Sequence, residues 1–249
     1  YRCRNVLIQG ITLRQSQFWQ VHPTLCRNVT IDSVTTGDTA NHNTDACDVD
    51  CCYNVVVKHC AFDGADDSIA IKSGLDDDGR RVNTPSQNIV IYRCRVQGVG
   101  AAVACGSDTT GGIRNVYAFG VETFGRSTLY MLNVKSNTHR GGYVRNVNLD
   151  SCRGDSLGGP WLFAEMNYQD HEYLSASYPP KFEDWTVSNA SGDSDPVILV
   201  FTGLPGDEIR NVVVTDSNFT NIRSPHNVYE HVTGVVLRNV TINGVPASS

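Results

Sequence analysis

The fold is decided by a short phrase that recurs along the chain, first as Arg4-Asn5-Val6-Leu7-Ile8 and next as Arg27-Asn28-Val29-Thr30-Ile31. Its asparagine reappears in six later copies, at Asn54, Asn88, Asn115, Asn146, Asn211 and Asn239. Successive copies are 23, 26, 34, 27, 31, 65 and 28 residues apart, and a degenerate copy around Asp184 divides the longest step into 38 and 27. Self-similarity at a period of about 20–50 residues is typical of solenoids and other repeat arrays.

Each unit is built from short, β-branched segments separated by Gly, Asn and Asp, without the 3.6-residue period of helical repeats. Parallel strands stacked coil upon coil explain this pattern, and the recurrent asparagines can then form a ladder of side-chain amides at a repeated turn. The sequence therefore predicts an all-β fold, a right-handed parallel β-helix, with residues 1–249 as one domain. Because Tyr1 already lies inside a repeat unit, we expect N-terminal coils to be missing from this domain.

Composition narrows the class of partner. The net charge of −6 and the pI near 5.6 argue against a nucleic-acid partner, which requires a basic face. No uninterrupted apolar stretch is long enough to span a membrane, and we expect a monomer.

The nine cysteines include several that precede the Asn-Val phrase in one phase, at Cys3, Cys26 and Cys52. That phase favours small, buried, stacked thiols over disulfide bridges.

Three acidic side chains stand out against this repeat. Asp45 and the pair Asp66-Asp67 are separated by 21 residues, about one coil, so stacking makes them direct neighbours. Crowded carboxylates raise one another's pKa, as sites for acid/base chemistry require. Asp45 and Gly106 each lie nine residues before a repeat asparagine, and Lys135 lies eleven before one. We therefore expect all three on the same side of about four adjacent coils. The expected result is a groove that holds two or three carboxylates and a lysine.

Paired carboxylates that flank a scissile bond are what glycoside hydrolysis requires. Spacing alone leaves two other interpretations open: a bound-cation site, or acidic residues at surface turns. The motifs Asn43-Thr44-Asp45-Ala46-Cys47-Asp48 and Ala65-Asp66-Asp67-Ser68-Ile69-Ala70-Ile71-Lys72-Ser73-Gly74 resemble the two signatures of family 28 glycoside hydrolases, the polygalacturonase and rhamnogalacturonan hydrolase group. The similarity continues through Gly106-Ser107-Asp108 and ends in the stretch from Val134 to Val144.

The resemblance implies a β-helix that cleaves α-glycosidic bonds of a pectic poly- or oligosaccharide with inversion and without a metal or other cofactor. Asp66 would be the general acid, and Asp45 and Asp67 would hold and deprotonate the attacking water. Such a substrate implies a secreted or periplasmic protein. The expected substrate-binding residues are Asn43, Lys72, Arg80, Arg81, Lys135, Arg140 and Tyr168. His22 also lies in a family-like stretch, but we interpret it as a turn or core residue.

Two departures from the family pattern bear on specificity. Gly100 stands where the family is expected to have a histidine, and Asn133 stands where it usually has an arginine. An altered subsite with intact aspartates resembles the rhamnogalacturonan-directed branch more than a true homogalacturonan enzyme. Two alternatives remain: a calcium-dependent enzyme like pectate lyase, and a carbohydrate-binding β-helix without activity.

Two long inter-strand segments are predicted to be loops on the binding face, residues 73–85 and 158–180. The second gathers aromatic residues that would either stack on sugar rings or cap the core: Trp161, Tyr168, His171, Tyr173 and Tyr178.

Overall fold

The computed structural model describes residues 1–37, 41–125, 128–169 and 178–247. The chain winds into a right-handed parallel β-helix, which confirms the predicted fold class. Each full coil contributes one strand to each of three faces. His171 and Tyr173 lie outside the described residues.

The first face is a seven-stranded parallel sheet. Its strands are β5 (Cys47–Asp50), β8 (Ile69–Lys72), β11 (Ala101–Gly106), β14 (Tyr130–Lys135), β17 (Leu162–Glu165), β20 (Leu199–Thr202) and β22 (Val228–Glu230).

The second and third faces share a 17-stranded sheet. The second face consists of β1 (Arg4–Gln9), β3 (Arg27–Asp32), β6 (Tyr53–Lys58), β9 (Ser86–Tyr92), β12 (Ile113–Phe119), β15 (Tyr143–Asp150), β18 (Lys181–Ser188), β21 (Ile209–Thr220) and β23 (Val232–Ile242). The third consists of β2 (Thr12–Arg14), β4 (Thr35–Gly37), β7 (Ala61–Gly64), β10 (Arg95–Gly98), β13 (Glu122–Thr123), β16 (Arg153–Asp155) and β19 (Ser191–Asp193), continued by β21 and β23. Strand β24 (Val245–Pro246) pairs antiparallel with β23.

The core is a set of inward columns, one residue from each coil. Ile31, Val57 and Ile91 are partners in adjacent strands of the second face and are fully buried. Full burial of such a side chain contributes about 1.5–3 kcal/mol. Repetition of these columns in every coil supplies most of the stability of a solenoid.

The amide ladder predicted from the repeat is present. Asn28 Nδ2 donates to Asn5 Oδ1 at 3.0 Å, and Asn54 Nδ2 donates to Asn28 Oδ1 at 3.2 Å. The ladder continues from Asn88 through Asn146 at 2.9–3.2 Å. These residues have positive φ, near 55°, a conformation that asparagine tolerates better than other side chains do. Asp184, in the degenerate copy, accepts from Asn211 in the same way.

The cysteines follow the predicted arrangement as well. All nine are free thiols, and every one except Cys3 is buried. The backbone N–H of Cys26 lies 3.3 Å from the sulfur of Cys52, one coil away. Burial raises the pKa of Cys52 and of Cys105 to about 12, so these thiols stay protonated and behave as small apolar side chains.

The segment 73–85 differs from the prediction, because it contains the helix α1 (Asp76–Val82) instead of an irregular loop. Asp77 pairs with Arg80 at 2.8 Å and Asp78 pairs with Arg81 at 2.6 Å, each three residues apart. Acidic residues in the first turn and arginines in the last also complement the helix dipole. Within the described residues, no helix is long and apolar enough to cross a membrane.

Candidate active site

The three aspartates lie in the turns that lead from the third face into the first. Asp45 precedes β5, and Asp66 and Asp67 precede β8. The backbone N–H of Ala46 donates to the Asp67 carbonyl at 3.0 Å, and that of Gly100 donates to the Asp66 carbonyl at 3.2 Å. Three consecutive coils are therefore tied together at this point, and the predicted juxtaposition of Asp45 with the Asp66-Asp67 pair is present.

Asp67 is a buried, ionised carboxylate. Its Oδ2 lies 3.0 Å from Lys135 Nζ, and its Oδ1 accepts the backbone N–H of Ala101 at 2.7 Å. Burial acts to raise the pKa of Asp67, but the positive charges of Lys135 and Lys72, together with these hydrogen bonds, hold it below the usual value of 3.8.

Asp66 has the opposite character. Its side chain is half-buried, and burial, followed by the neighbouring charges of Asp67 and Asp45, raises its pKa to about 6. Adjacent carboxyl groups with pKa values displaced in opposite directions form an acid/base pair: one holds a proton in mildly acidic solution while the other is charged.

The third aspartate, Asp45, shares a lysine with a carboxylate that our sequence prediction omitted. Lys72 Nζ lies 3.5 Å from Asp45 Oδ2 and 3.4 Å from Asp48 Oδ1. Burial raises the pKa of both acids, with Lys72 acting against it. Asp48 is fully buried, although it faces away from the core columns of Cys47 and Val49. The signal that could have identified it is its place in the Asn43–Asp48 motif, three residues after Asp45.

Lys72 is itself buried between these acids, with Nζ 4.3 Å from the centre of the Trp19 ring. The pKa of Lys72 is raised: burial lowers it, but the charges of Asp48 and Asp45 outweigh that effect. Lys72 therefore neutralises the acidic cluster, and its direct contact with substrate, expected from the sequence, stays a prediction.

Gly100 shapes the site in a way that the sequence did not reveal. A Cβ at this position would lie 2.4 Å from Asp67 Oδ1 and 2.9 Å from Asp66 Oδ1. No side chain fits there, so in this backbone Gly100 cannot be regarded as a histidine site that lost its side chain. The two carboxyl groups converge on the space above this glycine.

The floor of the groove consists of small, buried residues that point outward from the first face: Ala70, Ala101 and Ala104. Ala104 is the register partner of Asn133, which is buried and whose Oδ1 has no hydrogen bond among the described residues. Gly106 is the partner of Lys135 and not of Asp45, so the phase predicted for Gly106 was wrong. The turn between the first and second faces varies in length, which defeats counting back from the asparagine.

A second basic group lies beside Lys135. The Tyr168 ring has Lys135 Nζ 5.5 Å from its centre and Arg140 Cζ at 5.7 Å. Arg140 is buried, and its Nε and Nη1 make no hydrogen bond within the described part of the chain. Buried guanidinium nitrogens without a hydrogen bond are costly unless they meet an anion.

The remaining predicted binding residues are more peripheral. Arg80 donates to the carbonyl of His139 at 2.9 Å and stacks on Tyr178 at 4.2 Å, which fixes α1 against the neighbouring segment. Arg81 is exposed and paired with Asp78. Asn43 is half-buried, and its N–H donates to Asn41 Oδ1 at 3.2 Å.

Two further predictions concern His22 and the aromatic segment. His22 is exposed and lies between the isolated β-bridges at Val21 and Thr24, 3.0 Å from Thr24 Oγ1, so the core alternative was wrong. Trp161 is fully buried and donates to the carbonyl of Ser191 at 3.1 Å, so it belongs to the core. Tyr178 is exposed, and its ring supports Arg80.

Comparison with known proteins gives a consistent result. The family model described as "Glycosyl hydrolases family 28" matches residues 1–200. A protein named probable polygalacturonase from Vitis vinifera is 27% identical over 224 residues, covering 85% of this chain and 43% of that protein. An exo-poly-alpha-D-galacturonosidase from Dickeya chrysanthemi is 25% identical over 88% of this chain and 37% of its own length. This chain therefore spans less than half the length of either relative.

Among solved structures, a hyperthermoactive exopolygalacturonase from Thermotoga maritima superposes with a TM-score of 0.90 at 29% identity, over 98% of this chain and 54% of that one. A polygalacturonase from Erwinia carotovora ssp. carotovora has the same fold, with a TM-score of 0.69 at 18% identity over 94% and 57% of the two chains. The family model covers well over half of the residues, and the fold agrees with it. The chain belongs to glycosyl hydrolase family 28.

Proposed function

We propose that this chain carries the catalytic groove of an inverting glycoside hydrolase that cleaves α-glycosidic bonds in pectic polysaccharide or oligosaccharide. The observation that carries the proposal is the pair Asp66 and Asp67, whose pKa values are displaced in opposite directions within one groove. Hydrolysis of a glycoside needs one protonated carboxyl group for the leaving oxygen and one ionised carboxylate for the nucleophile.

In this mechanism Asp66 protonates the glycosidic oxygen, and Asp45 and Asp67 position the attacking water and take its proton. Asp67 is suited to this task because Lys135 and the N–H of Ala101 keep it ionised and fix its orientation. The positive charge of Lys72 offsets the repulsion between the neighbouring carboxyl groups of Asp45 and Asp48. As proton transfer proceeds, the carboxylates also stabilise positive charge on the sugar ring.

The stereochemical outcome is a separate part of the proposal. Asp66 and Asp67 both approach the space above Gly100, closer than the carboxyl groups of most inverting glycosidases. Inversion is favoured because Asp67 already accepts two hydrogen bonds, which makes it a better holder of water than a nucleophile. Proton NMR of the first anomer released tests this step, and a retained anomer would assign Asp67 as the nucleophile.

The substrate we place first is polygalacturonate. The relatives named above are polygalacturonases, two of them exo-acting by name. Lys135 and Arg140, whose Nε and Nη1 have no hydrogen bond among the described residues, give the groove two cations that suit a uronate carboxylate. Because an arginine is absent at Asn133, a rhamnogalacturonan-type substrate is the second candidate. Action on either polymer would place the protein outside the cytoplasm, secreted or periplasmic.

Product analysis tests the proposal. The chain is incubated with polygalacturonate and with rhamnogalacturonan fragments, and products are separated by size, with Asp66→Asn as the matched inactive control. We expect saturated products from polygalacturonate, in a size distribution that distinguishes endo from exo cleavage. Turnover by Asp66→Asn equal to that of the native chain would remove Asp66 as the acid. Polymer binding without any product would favour a carbohydrate-binding role.

The same assay, run with and without a chelator, distinguishes the proposed hydrolase from a calcium-dependent lyase. Lys72 and Lys135 already neutralise the acidic cluster at 3.0–3.5 Å, which favours water activation over cation capture there. We expect the rate to be unchanged by a chelator. Loss of activity on chelation together with an unsaturated product would identify a lyase instead.

A further inference from the structure

One part of the repeated phrase is explained neither by the core nor by the groove: the arginine that precedes the asparagine. In the second face, the register partners across six consecutive coils form one outward column. Its members are Arg4, Arg27, Tyr53, Gln87, Arg114 and Arg145. We call these six residues the arginine column. It follows the first-face strands along the chain, whereas the catalytic aspartates precede those strands, so the two features flank opposite edges of the first face.

Most of the column has no acidic register partner: the first acidic residue along it is Glu183, opposite Arg145, whereas Arg4, Arg27 and Arg114 have none beside them. Arg4 and Arg27 are direct partners on adjacent strands, and so are Arg114 and Arg145. Within the described residues, none of the four forms an ion pair with a carboxylate. Like charges opposite one another on paired strands are destabilising. In a protein of net charge −6, this arrangement calls for an explanation beyond solubility.

Further along the same column the charges are balanced. Arg210 is the register partner of Glu183, and it pairs with Glu208 at 2.7 Å. Glu183 is also the register partner of Arg145, so the unbalanced positive charge is that of Arg4, Arg27 and Arg114, in one half of the face. Arg210 provides an internal control for the effect of an arginine at this position.

A cleft of about 660 Å³ lies between the arginine column and residues 81–85, at the end of α1 and just after it. The residues that line it include Arg2, Arg27, Tyr53, Arg81, Asn83 and Gln87, and no acidic residue is among its lining. Gln87 Oε1 accepts Arg114 Nε at 2.7 Å, which orients the next arginine along the column. The Tyr53 ring is partly exposed between these polar groups.

We propose that the arginine column and its cleft form a second binding site for an acidic polysaccharide, separate from the catalytic groove. Guanidinium groups offer a two-pronged fork to carboxylates, and an exposed tyrosine between them offers an aromatic face to a sugar ring. Successive coils lie about 4.8 Å apart, so the column presents its polar groups at regular intervals to an extended polymer. The choice of uronate rests on the proposed function, whereas a preference for anions rests on the column alone.

The test is binding, measured separately from turnover. Binding to immobilised polygalacturonate is compared for the native chain and for Arg27→Ser/Arg114→Ser, with Arg210→Ser as the matched control. We expect the double variant to bind about tenfold more weakly at low salt, a difference that shrinks as salt screens the charges. Arg210→Ser should bind as the native chain does, and all three should cleave a short oligosaccharide at equal rates.

Three results would overturn the site: unchanged binding by the double variant, an equal loss in Arg210→Ser, or an equal loss of cleavage of the short oligosaccharide. Dextran sulfate and fully methyl-esterified pectin distinguish the ligand. Weakened binding of dextran sulfate as large as that of polygalacturonate would overturn the uronate assignment, and so would weakened binding of the esterified polymer. Binding is measured without turnover. A chain that binds through the column but cleaves nothing would contradict the proposed hydrolase and leave the second site in place.

Discussion

At the scale of single residues, Asp66 shows how a catalytic group can oppose stability. Burial and the charges of Asp67 and Asp45 raise its pKa to about 6, so the folded state binds a proton more tightly than the unfolded state does. The contribution of Asp66 to stability is therefore present below its unfolded pKa and is lost as pH rises through about 6. The ionised form of Asp66 therefore destabilises the fold, although the raised pKa is what a general acid requires.

We therefore expect Asp66→Asn to lower turnover and to raise stability. Loss of the general acid should reduce kcat by about 10²–10⁴-fold. The melting temperature should rise at pH 7.5, where native Asp66 is charged, and rise much less at pH 4.5. Calorimetry at both pH values, alongside kinetics, measures both effects. A variant that is inactive but equally or less stable at pH 7.5 would contradict the assigned cause of the raised pKa.

Lys135 determines the opposite property in Asp67, and removing it should move the pH profile. The native rate should fall above about pH 6, as Asp66 loses its proton, and at low pH, as Asp67 gains one. Lys135→Met removes a cation that lowers the pKa of both acids, so both limbs of kcat/KM against pH should shift upward. Lys58→Met, which removes a surface lysine 3.5 Å from Asp32, is the matched control and should leave the profile unchanged. A rise in KM with unmoved limbs would limit Lys135 to substrate binding.

At the scale of elements, the asparagine ladder combines a backbone requirement with two amide hydrogen bonds. Asn115 has a φ of 56°, donates to Asn88 and accepts from Asn146, both at 2.9 Å. Asn115→Gly keeps the left-handed conformation and should lose about 1–2 kcal/mol of unfolding free energy. Asn115→Ala should lose roughly 1 kcal/mol more, for the strained conformation.

Urea unfolding measures both variants, and Asn5→Gly serves as the control. Asn5 accepts one ladder bond in the described chain, from Asn28 at 3.0 Å, so its loss should be smaller than that of Asn115→Gly. Equal stability of the alanine and glycine variants at position 115 would show that the left-handed conformation carries no cost there.

The elements also show where prediction from sequence succeeds and where it fails. The second-face strands repeat one phrase, so their register, the ladder and the stacked cysteines followed directly from it. The first face has no such phrase, and the turns that link it to the second vary in length, which misplaced Gly106. Helix α1 escaped prediction because the contacts that hold it are distant in sequence: Arg80 donates to the carbonyl of His139 and stacks on Tyr178.

The site was predictable to a similar extent. One-coil spacing brought Asp45 and Asp67 together, because it depends only on the repeat. Asp48 and the steric role of Gly100 were missed, because both depend on which side chains converge in three dimensions. The buried location of Lys72 was missed for the same reason: a charge that compensates two acids beneath the groove has the same sequence signature as one that meets substrate.

At the scale of the whole molecule, acidic groups of opposite character define a window of pH in which the fold is most stable. The pKa values of Asp67, Asp50 and Asp32 are lowered, so their contribution is present above about 3.8 and is lost as pH falls. The pKa values of Asp66 and Asp195 are raised to about 6 and about 7, so their contribution is lost as pH rises through those values. Stability should therefore be greatest near pH 5.

Asp195 is the group to alter, because it is remote from the groove in sequence and fully buried. Its Oδ1 accepts the N–H of Leu157 at 2.8 Å, and burial is the main cause of its raised pKa. Asp195→Asn keeps that acceptor and removes the titration, so it should flatten the decline of unfolding free energy between pH 6 and pH 8 by roughly 1.4 kcal/mol. Denaturant unfolding across this range measures the slope. An equal slope in both proteins would mean that Asp195 does not titrate in the fold, and the upper edge of the window would then belong to Asp66 alone.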